Sequence, residues 1–131
     1  MLLVISHSEQ DYQAIRSVVP ENAGPVRLAQ TAREGLAFLS SYPVEVVVCE
    51  RDLPDGDWRG ILSATWHLPK PPLLIVISRH ADESLWAEVL NLGGYDVLLK
   101  PFYRDELARV IQQAFRCGSV VRGRAKATSA A

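Results

Sequence analysis

Five short runs of Val, Ile and Leu leave this chain few folds to choose from: Leu2 to Ile5, Val26 to Leu28, Val44 to Cys49, Leu73 to Ile77 and Val97 to Leu99. Each has the length of a strand, and helical patterns lie between them. Uninterrupted apolar character, as in Val46-Val47-Val48 and Leu73-Leu74-Ile75-Val76-Ile77, suits strands covered on both faces, which points to a parallel sheet between two helical layers. A strand–helix alternation repeated five times predicts an α/β chain with a three-layer doubly wound (βα)5 fold, because right-handed crossovers carry the helices to both faces of the sheet. Such a sheet places function at the carboxyl ends of its strands.

The helices have local signals. Ser8 caps a first helix with Glu9 and Asp11 in its opening turn, Ile15, Val18 and Val19 spaced to face the sheet, and Pro20 near its end. Thr31 with Glu34 makes a capping box ahead of Leu36, Phe38 and Leu39. A shorter third helix is expected from about Trp58 to His67, entered through Asp55-Gly56-Asp57 and closed by the prolines after it. The fourth, from about Asp82 to Leu92, puts Leu85, Val89 and Leu92 on one stripe and ends on Gly93-Gly94, which suits a left-handed cap. The fifth begins near Tyr103, carries Leu107, Val110, Ile111, Ala114 and Phe115 at helical spacing, and is expected to end near Arg116 or Cys117. The chain therefore divides into one domain over residues 1–117 and a flexible basic tail or linker stub over 118–131, with Arg122, Arg124 and Lys126.

Composition narrows the function. Of 131 residues, 14 are Lys or Arg and 15 Asp or Glu, so no long-range field advertises nucleic acid or an anionic membrane, and DNA binding by this chain alone is not expected. Met1 to Ile5 is too short and lacks the basic leader of a signal peptide, and too short for a membrane span. The two cysteines offer neither a disulfide framework nor zinc spacing. These features indicate a cytoplasmic protein. Cys49 reads as a small buried hydrophobe.

The residues just after the strands are Ser6-His7-Ser8, Glu50-Arg51-Asp52-Leu53-Pro54-Asp55-Gly56, Ser78-Arg79-His80 and Lys100-Pro101-Phe102. With Gly93-Gly94-Tyr95-Asp96-Val97-Leu98-Leu99 running into that Lys-Pro-Phe, and Leu53-Pro54-Asp55-Gly56-Asp57 after the third strand, the chain resembles the CheY-like receiver domains of response regulators over roughly residues 1 to 117. The resemblance implies a flavodoxin-like sheet of order 2-1-3-4-5 and a role in two-component, phosphorelay signal transduction.

In that family an acidic pair after the first strand and an acceptor aspartate after the third hold Mg²⁺ while a phosphoryl group arrives. Here Ser6 and His7 stand at the acidic pair and Glu50 at the acceptor, while Ser78 matches the family's hydroxyl and Lys100 its lysine. Val97 stands where the family has a swinging aromatic, and Tyr95 is offset from it by two residues. The resemblance is thus to an atypical, degenerate member, a pseudo-receiver. Mg²⁺ is expected to bind weakly or not at all, no other cofactor is implied, and the chain is expected to work as a protein-interaction module without catalysis. Glu50 can also place a permanent negative charge near Lys100 and Ser78, imitating part of an activated state.

Other readings stay open. A histidine kinase or small phosphodonor could still phosphorylate Asp52 or Glu50. His7, Glu50 and His80 together offer metal-ligand chemistry, although His80 also suits a place in front of the fourth helix. A flavodoxin-like small-ligand binder has the same fold but wants a phosphate loop after the first strand, which this chain lacks. Trp66 reads as a packing residue, whereas Trp86 lies at or beyond the edge of its helix's apolar stripe and is the first candidate for a partner contact. In the resembled family the fourth helix, fifth strand and fifth helix form the partner and dimer surface, which here would carry Trp86, Leu90, Asp96, Tyr103 and Arg109. The expected partners are a histidine kinase, a transcription factor, another output protein, or a second copy of the chain.

Overall fold

A computed structural model describes the backbone of residues 1–80 and 83–130 and the side chains of 1–80 and 83–117. Strands β1 (Leu2–Ile5), β2 (Val26–Ala29) and β3 (Val46–Glu50) alternate with α1 (Glu9–Arg16) and α2 (Ala32–Ser41). A two-residue hairpin, β4 (Asp52–Leu53) and β5 (Gly56–Asp57), leads into α3 (Trp58–Thr65). Then come β6 (Leu73–Ser78), α4 (Glu83–Asn91), β7 (Asp96–Leu99) and α5 (Arg104–Ala130).

The main sheet is entirely parallel, in the order β2-β1-β3-β6-β7. Its five strands taken alone run 2-1-3-4-5, the flavodoxin-like receiver arrangement. Pleating splits each apolar run between two cores. Leu3, Ile5, Val47, Cys49, Leu74 and Val76 face one way, with Leu39, Trp58, Ile61, Leu85 and Val89 from α2, α3 and α4. Leu2, Val4, Val46, Val48, Ile75 and Ile77 face the other way, with Ile15, Leu107, Val110, Ile111 and Ala114 from α1 and α5. Two-sided burial of this kind is the physical reason the strands carry no polar alternation. Cys49 is fully buried, and burial, followed by the charges of Glu50 and Asp57, pushes its thiol pKa up.

The caps form as their residue types dictate. Ser8 Oγ accepts the Asp11 amide at 3.4 Å and Thr31 Oγ1 accepts that of Glu34 at 3.1 Å. Glu34 returns a bond to the amide of Gln30 (3.0 Å), one residue before the cap. Gly93 adopts φ +101°, the left-handed turn expected after α4, and a Cβ on Gly94 would run into the side chain and carbonyl of Val89.

Three expectations need correction. Trp66 is 56% exposed, because α3 ends at Thr65, two residues before the anticipated His67, and leaves the indole beyond the packed face. Leu92 falls just past the end of α4 and is exposed, so Leu85 and Val89 alone anchor that helix. The α5 helix continues to Ala130, well beyond Cys117. The hairpin before α3 was not anticipated, since two-residue strands have no periodicity to read. Asp82, the expected start of α4, lies outside the described residues.

Candidate functional site

Four carboxyl-end positions converge, as the topology requires. Ser6 and His7 follow β1, Glu50 is the last residue of β3, Ser78 the last of β6, and Lys100 follows β7. At their centre is the Lys100 ammonium, 9% exposed over the whole residue, which donates to Glu50 Oε1 at 2.8 Å and to Asp11 Oδ2 at 2.6 Å. Lys100 is therefore a buried, doubly paired cation. Glu50 Oε2 meets His7 Nδ1 at 2.8 Å and Ser6 Oγ at 3.1 Å. The Ser6 hydroxyl accepts the Ser8 amide at 3.0 Å and has one hydrogen to give, which Glu50 Oε2 shares with Asp11 Oδ2 at 2.9 Å.

Asp11 is the residue that strand-end reasoning missed. Projecting from the first turn of α1 and only 7% exposed, it gives the cleft a second carboxylate beside Glu50. The cleft is therefore richer in oxygen anions than the replacement of the acidic pair by Ser6 and His7 suggests. A signal was present: Asp11, Ile15 and Val18 are spaced i, i+4, i+7, so the aspartate lies on the stripe that faces the sheet. A charge on a core stripe needs a buried partner, and Lys100 supplies it.

Opposing effects act on Glu50. Burial pushes its carboxyl pKa up, but the hydrogen bond and charge of Lys100, the charge of His7 and the Ser6 hydroxyl outweigh it and hold the group below its ordinary value.

The remaining expected residues lie apart from this cluster. The Ser78 hydroxyl accepts the amide of His80 at 3.1 Å, and Ser78 joins the site through its backbone, whose carbonyl accepts the Lys100 amide. The Asp52 side chain is 85% exposed and sits 3.9 Å from Arg51 on the hairpin, outside the cleft. The His80 carbonyl accepts from Arg51. Among the described residues no group of three or more His, Cys, Asp or Glu side chains could hold a metal ion. Shallow grooves of about 380 and 530 Å³ lie elsewhere, the first around Tyr12 and Arg27 and the second around Glu45 and Phe115. On the far edge, Trp86 and Leu99 are each 50% exposed, and Leu90, Tyr103 and Arg109 are also exposed, while Asp96 and Val97 are half-buried in β7.

A family model for the response regulator receiver domain matches residues 2–112. The chain belongs to that family. This receiver resembles the transcriptional regulatory protein KdpE of Mycobacterium tuberculosis, at 29% identity over 123 residues, which cover 88% of this chain and 51% of KdpE. It also resembles the transcriptional regulatory protein UhpA of Salmonella typhimurium, at 35% identity over 81 residues, 62% of this chain and 40% of UhpA. The receiver thus spans about half the length of KdpE. The signal receiver domain of an HD domain-containing protein from Pseudomonas fluorescens superposes with a TM-score of 0.79 at 25% identity, covering 94% of this chain and 91% of that one. A beryllofluoride-activated NtrC4 receiver domain dimer does so with a TM-score of 0.79 at 24% identity, covering 89% and 97%. The protein is a receiver domain of two-component signalling, and among its described residues no helix is long and apolar enough to cross a membrane.

Proposed function

We propose that this receiver is a degenerate one, a cytoplasmic, non-enzymatic protein-interaction module whose signal does not depend on phosphorylation. The observation that carries the reading is the state of Glu50. Both oxygens of the residue at the acceptor position are engaged, Oε1 by Lys100 and Oε2 by His7 and Ser6. A carboxylate must present a free oxygen in line with an incoming phosphorus, and the extra methylene of glutamate moves its oxygens away from where an aspartate would hold them.

The donor set does not fit Mg²⁺. That ion wants near-octahedral oxygen at about 2.0–2.1 Å. Here Asp11 Oδ2 and Glu50 Oε1 both contact the Lys100 ammonium. The ion pair also gives Glu50 a permanent negative charge against Lys100 in one fixed geometry, as part of an activated state would. Output would then be read by the face of α4, β7 and α5, through Trp86, Leu90, Asp96, Tyr103 and Arg109, in contact with a histidine kinase, a transcription factor, an output protein or a second copy.

Incubation with acetyl phosphate and millimolar Mg²⁺, followed by intact-mass measurement, tests the reading. The expected result is an unchanged mass; the mass increment of one phosphoryl group, lost in the Glu50→Gln variant, would defeat it.

A further inference from the structure

The sheet has a second edge, opposite β7, where strand β2 and the end of α1 border the shallow groove of about 380 Å³. Its walls are fixed. Tyr12 Oη donates to the Val26 carbonyl at 3.3 Å and ties helix to strand, and the Leu2 amide donates to the Pro25 carbonyl at 2.9 Å. Pro20 and Pro25 stiffen the segments on either side of the short 3-10 turn Glu21–Ala23. A groove held in this way is preorganised, which lowers the ordering cost of whatever binds it. Its charges, by contrast, are not satisfied within the chain. Arg16 and Arg27 both line the groove and are exposed, and among the described residues neither guanidinium has an ion pair or a hydrogen bond. Glu21 lines it too, exposed and equally unpaired, so two cations face one carboxylate in a chain whose net charge is −1.

We propose that this groove is a docking site for an extended acidic segment of a partner protein, whose carboxylates pair with Arg16 and Arg27 while its backbone lies along the edge strand β2. Charge complementarity selects the occupant's sign, and residue type selects its chemistry. A guanidinium fork matches a carboxylate in bidentate geometry, and arginine, unlike lysine, is enriched where proteins meet. The edge strand selects its conformation, since an open sheet edge is where an extended chain docks. Alternate side chains of such a segment point the same way, so carboxylates at every second position face one wall of the groove. Depth argues against a small anion, because small-ligand sites enclose most of their ligand and this groove is shallow. The site is on the edge away from the α4, β7 and α5 face and does not involve Glu50. The receiver therefore has room for a second partner, whatever the state of its cleft.

The test titrates the full chain, labelled with ¹⁵N, at low salt with an acetylated and amidated heptapeptide alternating Glu and Val. Its Lys and Val counterpart, succinate and inorganic phosphate are titrated separately. The Glu peptide should move the amide resonances of Tyr12, Arg16, Val26 and Arg27, and bind more weakly as salt rises; the Lys peptide should move none of them. Arg16→Gln/Arg27→Gln should weaken the Glu peptide at least about tenfold. Glu21→Gln, which removes the opposing carboxylate, should tighten it about two- to threefold. All three side chains are exposed, so both variants should keep the wild-type spectrum elsewhere. Unmoved resonances at these amides, movement centred on another face, equal binding of the Lys peptide, or undiminished binding by the double arginine variant overturns the proposal. Succinate or phosphate binding as tightly as the peptide overturns it in favour of a small-anion site. Movement of the same amides with protein concentration alone overturns it in favour of a second copy of the chain.

Discussion

Removing one member of a buried ion pair costs more than the pair contributes, because the charge left behind stays desolvated. Asp11 and Lys100 form such a pair, and Lys100 keeps a second partner in Glu50. Asp11→Ala should therefore destabilise the protein by about 3 kcal/mol, at the low end for a broken buried pair, seen as a lower urea midpoint with an unchanged slope. Asp11→Asn, which can still accept from Ser6, should lose less. Glu50 adds a pH dependence whose sign is fixed: its pKa is lower folded than unfolded, so the folded state binds fewer protons. Its contribution is complete above the unfolded value and disappears as pH falls through the folded one. Wild-type stability should decline on acidification below about pH 5, and Glu50→Gln, less stable at neutral pH, should flatten that part of the curve. An unchanged acid limb in the variant would show that Lys100 does not hold this carboxylate. Trp58 presents a contrasting case, since it is fully buried with an indole N–H that has no hydrogen-bond partner among the described residues. Trp58→Phe removes that unsatisfied donor while opening a cavity. The two effects oppose, so urea unfolding should show a loss of about 1–2 kcal/mol, below the usual cost of truncating a core tryptophan.

At the level of elements, the Asp55 side chain ties the hairpin between β3 and α3 to the start of α2. Asp55 accepts the amides of Ala32 and Arg33 at 2.7 and 3.0 Å, adding a second carboxylate cap to α2, and these bonds hold its pKa below the usual range. Asp55→Ala should speed hydrogen exchange at both amides while leaving the strand amides of β1 and β3 protected; equal protection in the variant would mean the loop does not restrain α2. The five strands and the helix caps were legible in sequence because each depends on local information, the run of β-branched residues or the Ser and Thr at Ser8 and Thr31. Lys100, Ser6, His7 and Glu50 were legible for a related reason: topology alone brings strand ends together. Asp11 was not, because its role depends on the distance between a helix face and a residue on the opposite sheet edge, and its place in the first turn of α1 already had a sufficient local explanation. Trp66 failed for the converse reason, since residue type predicts burial only while the helix carrying it continues.

For the molecule as a whole, a sheet covered on both faces still leaves its two edge strands, and β7 is one of them. An edge strand with unpaired backbone groups invites another chain unless it is blunted by charge, and here it is flanked by Trp86 and Leu90 from α4, its own Leu99, and Tyr103 ahead of α5, all exposed. Large aromatics at such a site usually dominate the energetics of the contact they make. If this face pairs two copies, sedimentation of the full chain should show a concentration-dependent dimer. Trp86→Asp, which places a charge in that surface, should weaken it by at least about 2 kcal/mol, roughly thirtyfold in the dissociation constant. The variant should keep the wild-type thermal midpoint of the isolated monomer, because half of the indole is already in water. A dimer that survives Trp86→Asp unchanged would move the interface off the α4, β7 and α5 face and leave the exposed aromatics of that edge for a different partner.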